Sequence, residues 1–273
     1  MWINTLNPTL LKLGTLEIRW YGLVYVLGFF LTIAWMYHLR KKQRLKLTKD
    51  EIWDFTFYLM LGVLIGSRLF EIFWDPHYYL SNPLNLLKFW QGGMSFHGGL
   101  VGIVVAAYLY CRKKKINFWQ MADILAIPAM LTLALGRIAN FINGELWGRV
   151  ANSFCIGFPN APDHGMLCRY PSTLYAAAKR FLILFWLLFL HYKNQFKAGL
   201  VTSVRDLPFK AGFIFWNFVF WEGLGRFIVD FYREDILYHH LSLGQWFSLI
   251  MIGVALIIFI KNYRQDWNKL FKE

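Results

Sequence analysis

The feature that most constrains this chain is a series of apolar runs, each about 20 residues long, that recurs between residues 20 and 260. A run of that length is what an α-helix needs to cross a hydrocarbon core about 30 Å thick. Only 16% of the residues are charged and 57% are hydrophobic, whereas a soluble domain carries about a quarter charged residues. We therefore predict an all-α polytopic protein with a single membrane domain over residues 1–273.

Seven transmembrane helices and a small head on the outer face are predicted. The helices cover about 20–38, 54–73, 97–111, 121–138, 173–192, 212–231 and 243–260. The longest segment between them, at about 139–171, contains three prolines and little periodicity, and it forms the predicted head. Between the second and third helices, a loop with a short interfacial helix is expected around Leu84–Trp90.

Basic residues indicate the orientation of these helices. Eighteen lysines and arginines fall in the loops after the first, third, fifth and seventh helices, and six fall in the segments on the other side. The positive-inside rule places the richer side in the cytoplasm, with the N-terminus outside and the C-terminus inside. The net charge of +13 would suggest nucleic acid in a soluble protein. Here it is better explained by loops that face anionic lipid, so no nucleic-acid partner is expected.

Arginines inside the apolar runs are the strongest functional signal, because a charge in a span is costly unless it faces protein or water. Arg68 lies three residues before Glu71, and Arg226 lies four residues before Asp230. These spacings put each pair on one helix face, so simple structural pairing is an alternative explanation. Arg137 has no acidic residue three or four positions away. Its guanidinium suits a phosphate, such as that of a phospholipid head group.

Histidine and tyrosine supply candidates for proton transfer. His97 is followed by Gly98 and Gly99, which would allow a substrate to approach closely. Histidine can accept a proton near neutral pH, although a hydrogen-bonded packing role is equally compatible with this pattern. Tyr21 lies where the first helix meets the outer interface, and an aromatic belt would also explain it.

The cysteines point to no metal site, because neither a CxxC nor a Cys/His ligand spacing occurs. Cys155 and Cys168 both lie in the predicted head, where they could form a disulfide in an oxidising compartment. The sequence leaves their pairing open.

Several motifs together resemble the bacterial prolipoprotein diacylglyceryl transferases, and the resemblance covers most of the chain. They are Ile18-Arg-Trp-Tyr21-Gly, Gly92-Gly-Met-Ser-Phe-His97-Gly-Gly-Leu, Gly136-Arg137 through Arg149, Gly225-Arg226 through Arg233, and Ser242-Leu-Gly-Gln245. The resemblance implies an enzyme of the bacterial inner membrane with seven helices and a periplasmic head. Such an enzyme moves the diacylglyceryl group of phosphatidylglycerol to the lipobox cysteine of a prolipoprotein signal peptide. A thioether forms and glycerol phosphate leaves in this first step of lipoprotein maturation, without a metal or organic cofactor.

The resemblance also assigns roles to individual residues. Arg137 and Arg226 would bind the head group and stabilise the leaving phosphate. His97 would act as the base, with Tyr21 as its rival. The remaining predicted substrate-binding residues orient these groups or allow close packing; they are Gly98, Asn140, Glu145, Gly148 and Asp230.

Two departures from the family pattern are visible. Asp230 stands where the family usually has glutamate. Tyr170-Pro-Ser-Thr173-Leu-Tyr-Ala176 stands where it has His-Pro-Ser-Gln-Leu-Tyr-Glu. The second departure leaves open a catalytically inactive relative. A transporter or flippase for anionic lipid is another alternative, since it would also use arginines inside the membrane. Against a transporter, the sequence has no inverted repeat of equal halves.

Overall fold

The computed structural model describes residues 1–14, 16–87, 95–198 and 209–271. It divides into two compact units. The first unit combines Met1–Gly28 with Ala122–Glu273, and the second is Phe29–Met121. The boundary between them falls inside the first helix, so each unit is described separately. The expectation of a single membrane domain over 1–273 stays a prediction.

Helices lie at all seven predicted positions within the described residues. In chain order the helices are α1 Trp20–Lys41, α2 Lys49–Trp74, α3 Pro76–Ser81, α4 Phe96–Lys114, α5 Phe118–Ile142, α6 Ser172–Ala198, α7 Phe213–Val229, α8 Leu243–Asn262 and α9 Arg264–Phe271. Five of them, α1, α2, α5, α6 and α8, are long and apolar enough to cross a membrane. This confirms a polytopic, mainly helical membrane protein. The third predicted helix is longer than expected, because α4 extends through its basic end.

The prediction of an all-α fold missed several short strands. They are β1 Trp2–Ile3, β2 Thr9–Leu13, β3 Leu16–Arg19, β4 Ile156–Gly157, β5 Leu237–Tyr238 and β6 Leu241–Ser242. β2 and β3 form an antiparallel hairpin, β5 pairs with β6, and β1 runs parallel to β4. These pairs satisfy backbone groups in segments that form no helix.

Close packing of α2 against α4 dominates the second unit. A Cβ at Gly66 would overlap the backbone carbonyl of Gly98, and a Cβ at Gly102 would overlap the carbonyl of Gly62. Small residues at a helix crossing allow backbones to approach in this way. The glycines therefore explain how these two helices pack.

Arg68 is held by the loop after α2. Its guanidinium donates to the backbone carbonyls of Asn85, at 2.8 Å, and Leu86, at 3.1 Å, and to the hydroxyl of Tyr79, at 3.3 Å. Both Arg68 and Glu71 are described, and no ion pair joins them. The predicted alternative of pairing within α2 is therefore wrong. The carbonyl partners come from the turn at Pro83–Leu87, a 3₁₀ turn; the rest of the predicted interfacial helix, residues 88–90, lies outside the described residues.

The segment predicted to form the head belongs to the first unit and has its own small core. Phe141, Phe158 and Ala161 are buried together, and Trp147 packs against them. Cys155 and Cys168 form a disulfide, which answers the question that their spacing left open. The buried Arg169 donates to Asp163 at 2.7 Å and to the carbonyl of Gly148 at 3.3 Å, and it also pairs with Glu234. These contacts fix the segment that leads into α6.

Candidate active site

A cleft in the first unit brings together basic side chains from three helices. It encloses about 330 Å³ of empty space, including its open mouth. The basic residues that line it are Arg137 of α5, Lys179 and Arg180 of α6, Arg226 of α7, and Arg233 just beyond α7. Asp230 is the acidic residue of the lining. The cleft thus contains two of the three arginines that the sequence singled out, Arg137 and Arg226.

Arg137 is positioned by an amide, and no carboxylate of the described residues neutralises it. Its Nη1 donates to Oδ1 of Asn140 at 3.3 Å, and Nδ2 of Asn140 donates to Oε1 of Glu145 at 2.7 Å. Asn143 also donates to Glu145, at 3.1 Å. Among the described residues, no carboxylate oxygen lies within 4.0 Å of the Arg137 guanidinium. The Asn140 side chain lies between Glu145 and Arg137, so the guanidinium is oriented without being neutralised.

Arg226 is paired, as its spacing indicated. Its Nε lies 3.5 Å from Oδ2 of Asp230, one helical turn later. Ser242 donates to the same oxygen at 3.4 Å. A Cβ at Gly244 would come close to both the Arg226 guanidinium and the Asp230 carboxylate. The start of α8 therefore closes over this pair, and Gly244 leaves the room that it needs.

A second buried charge cluster, which was not predicted from the sequence, borders this cleft. Glu222 of α7 accepts from Lys179 Nζ at 2.6 Å and from Arg180 Nε at 3.1 Å. Lys179 also donates to the backbone carbonyl of Glu222. A Cβ at Gly225 would meet the Lys179 side chain, so this glycine makes room for a lysine. Lys179 and Arg180 interrupt an apolar run. The cost of a charge inside a span, which singled out Arg137, therefore also marks them as candidates.

The ion pairs of the cleft leave it with excess positive charge. Asp230 balances Arg226, and Asp235 lies 3.2 Å from Arg233. Glu222 balances one of its two basic partners, Lys179 and Arg180. The other partner and Arg137 are left without a matching acid. Fixed guanidinium and ammonium groups that are not fully balanced by carboxylates can attract an anion.

Gly148 lies where the head joins the helices. A Cβ there would overlap the backbone carbonyls of both Tyr170 and Tyr232. The Gly148 amide donates to the Tyr170 carbonyl at 2.9 Å, and the Arg149 amide donates to the Tyr232 carbonyl at 2.9 Å. Close packing thus requires glycine at this position, as the sequence predicted for the head loop.

The segment that departs from the family pattern contributes to both head and cleft. The Tyr170 ring packs edge-on against Tyr232, with ring centroids 5.3 Å apart, and Tyr175 contacts the same ring. Thr173 and Ala176 line the cleft together with Lys179. Their spacing of three residues puts them on one face of α6.

The other predicted site residues are not among those that line the cleft. The hydroxyls of Tyr21 and Tyr25 lie 2.8 Å apart on the exposed surface of α1. His97 and Gly98 belong to the second unit, in the first turn of α4. The His97 side chain is exposed, and Gly98 is buried against α2. That packing accounts for a glycine at position 98 without a substrate, and the role of His97 stays a prediction.

Comparison with known proteins agrees with the motifs. Residues 8–261 match the family model described as prolipoprotein diacylglyceryl transferase. The phosphatidylglycerol–prolipoprotein diacylglyceryl transferase of Geobacter sulfurreducens is 39% identical over 93% of this chain and 95% of its own length. The proteins of the same name from Bordetella avium and Rickettsia rickettsii (strain Sheila Smith) are 38% and 41% identical, over 95% and 94% of this chain and 96% and 98% of their own lengths. The chain therefore belongs to the prolipoprotein diacylglyceryl transferase family.

Proposed function

We propose that this protein transfers the diacylglyceryl group of phosphatidylglycerol to the lipobox cysteine thiol of prolipoproteins. The observation that carries the proposal is the cationic cleft, in which Arg137 is oriented by Asn140 but has no carboxylate of its own. Family membership supplies the reaction class, and the cleft supplies a place for the lipid phosphate. No cofactor is required, because the leaving group is a phosphate ester oxygen already present in the lipid.

The charge left in the cleft suits the progress of this reaction. The cysteine sulfur bonds to the glycerol carbon of the lipid as the bond from that carbon to the phosphate oxygen breaks. The thiol proton goes to a base, and the phosphate leaves as glycerol phosphate. A phosphodiester carries one negative charge, and the departing monoester carries nearly two at pH 7. Arg137 and Arg226 are the proposed donors to this phosphate, because donors fixed where charge develops lower the barrier.

Asp230 has a positioning role in this scheme. It holds Arg226 by an ion pair, while Ser242 donates to the same carboxylate. Asn140 accepts a hydrogen bond from Arg137, and Glu145 in turn holds the Asn140 amide. Each guanidinium therefore needs little reorganisation when the phosphate charge increases.

The base is proposed to be His97, with Tyr21 as the alternative. The thiol must lose its proton to become a nucleophile, and an imidazole does this efficiently near neutral pH. Gly98 is a proposed substrate contact, because a residue without a side chain would allow the substrate to approach closely. Variants separate the two candidates, because only removal of the base should change how turnover depends on pH.

We further propose seven transmembrane helices in the bacterial inner membrane. α4 and α7 would join the five helices that meet the length and hydropathy of a span. The basic loops support a cytoplasmic C-terminus, an outer N-terminus and a periplasmic head at about 139–171. The partners in this membrane would be phosphatidylglycerol and the signal peptide of a prolipoprotein.

Purified protein incubated with phosphatidylglycerol and a lipobox peptide tests the proposal. We expect a thioether-linked diacylglyceryl peptide and an equal amount of glycerol phosphate, both measured by mass spectrometry. A peptide with serine in place of the lipobox cysteine is the matched control and should give neither product. Lipid binding without either product would refute the enzyme and favour an inactive relative. Lipid movement between leaflets without products would favour a flippase.

A further inference from the structure

Thr173 carries a buried hydroxyl that the structure of the protein itself does not explain. The residue is 2% exposed, and its Oγ1 has no hydrogen-bond partner among the described residues. A buried hydroxyl without a partner is unfavourable, so such groups are rare. Thr173 lines the same cleft as Arg137 and Arg226.

Other threonines of this protein show how the hydroxyl is usually satisfied. Thr56 and Thr132 each donate to the carbonyl four residues earlier, at 2.9 Å and 2.8 Å. Thr173 is the second residue of α6, so its corresponding carbonyl is that of Arg169, which accepts instead from the amide of Ile156. The neighbouring Ser172 hydroxyl donates to the carbonyl of Leu146. The local backbone therefore provides an acceptor for the Ser172 hydroxyl, but no described residue provides one for the Thr173 hydroxyl.

The chemistry of the cleft indicates what this hydroxyl could bind. Five of the side chains that line it are guanidinium or ammonium groups, which donate hydrogen bonds and accept none. They suit a phosphate, but they cannot accept from the hydroxyl groups of a glycerol. Asp230 could accept, but it already holds Arg226 and Ser242. The Thr173 hydroxyl can both donate and accept, and no protein group competes for it among the described residues.

We propose that Thr173 is a specificity-determining residue that hydrogen-bonds a hydroxyl of the glycerol head group. This inference rests on the proposed function, since it places the phosphatidylglycerol head group in the cleft. The basic side chains bind the phosphate, and Thr173 hydrogen-bonds a hydroxyl of the glycerol attached to it. Ala176, one turn further along the same face of α6, leaves space beside Thr173.

The test compares phosphatidylglycerol with phosphatidylpropanol, a lipid that has the same charge and a propyl group in place of the glycerol. Binding of each lipid and transfer from each lipid are measured for the wild type, Thr173→Val and Thr173→Ser. We expect Thr173→Val to lose about three- to tenfold in affinity and in kcat/KM for phosphatidylglycerol, the range for one net hydrogen bond. Phosphatidylpropanol should be unaffected, and Thr173→Ser should keep the wild-type preference. Thr132→Val is the matched control, because it removes a hydroxyl that is bonded within α5.

Equal losses for both lipids, or an unchanged preference in Thr173→Val, would overturn the inference. Failure of the proposed function has a different signature, which is a wild-type protein that yields no thioether with either lipid. In that case the ratio of the two binding constants still decides the role of Thr173, since it requires no turnover.

Discussion

Replacing Glu222 with glutamine should strongly destabilise the protein, because one carboxylate compensates two buried cations. Glu222 is 7% exposed and Arg180 is 5% exposed. The Arg180 Nε lies 3.1 Å from one carboxylate oxygen and 3.2 Å from the other, and Lys179 Nζ lies 2.6 Å away. Breaking a buried ion pair by removing one partner is destabilising by about 3–5 kcal/mol. We expect Glu222→Gln to lower the free energy of unfolding by an amount in that range or above it, since two positive charges are left close together.

The measurement is the free energy of unfolding in mixed detergent micelles, monitored by circular dichroism at increasing denaturant. The matched control is Glu17→Gln, which removes the carboxylate of an exposed pair with Lys12 at 3.2 Å. Exposed pairs are screened by solvent, so this variant should unfold like the wild type.

A triple variant sharpens the test. Glu222→Met combined with Lys179→Met and Arg180→Met removes the charges together, and replacement of a whole buried ion cluster by apolar side chains is often neutral. We expect it to recover most of the loss. A Glu222→Gln protein within about 1 kcal/mol of the wild type would refute the reasoning, because it would mean that water already solvates Lys179 and Arg180.

Four further predictions follow from the site and the head. Arg137→Ala should reduce turnover by roughly 10²- to 10³-fold, and Arg137→Lys should recover little, because an ammonium lacks the planar fork; full activity in both variants would exclude the proposed phosphate contact. His97→Gln should slow turnover and flatten its rise with pH if His97 is the base, whereas an unchanged profile would transfer that role to Tyr21 or to water. Gly148→Ala should lower the free energy of unfolding by roughly 1–3 kcal/mol through overpacking, and it should be compared with Gly136→Ala, where no atom lies within 4 Å of the new Cβ. Hydrogen bonds from the Leu167 amide and then from Arg169 hold the pKa of Asp163 below its ordinary value of 3.8. The stabilisation by Asp163 is therefore complete above about pH 4 and is lost as pH falls through the lowered pKa. Asp163→Asn should melt below the wild type at pH 7 and approach it in acid; a constant difference in melting temperature would contradict this.

The positions of the helices could be predicted from the sequence because their causes are local. Hydropathy over about 20 residues is a property of one segment, and the cost of a charge in lipid can be assessed without knowledge of its neighbours. The same cost singled out Arg137 and Arg226, and the structure places both of them in one cleft. The spacing of Arg226 and Asp230 also indicated their ion pair, since residues four apart share a helix face.

Which charges meet across helices was decided only by the tertiary structure. Arg68 has Glu71 nearby in sequence, yet it donates to the carbonyls of the loop after α2. Glu222 accepts from Lys179 and Arg180 of another helix, 43 and 42 residues earlier. Such pairings depend on the rotation and packing of helices distant in sequence, which hydropathy does not encode.

The disulfide of the head and the hydroxyl of Thr173 also depend on the tertiary structure. Two cysteines 13 residues apart permit a disulfide, but only the fold of the head brings their Cα atoms to 5.2 Å. A threonine at the start of a helix is unremarkable in sequence. Its hydroxyl becomes informative only because the Arg169 carbonyl accepts from Ile156, and the Thr173 hydroxyl has no partner among the described residues. The sequence thus determined that positive charge lies within apolar helices, and the packing of those helices determined which of these charges pair with carboxylates.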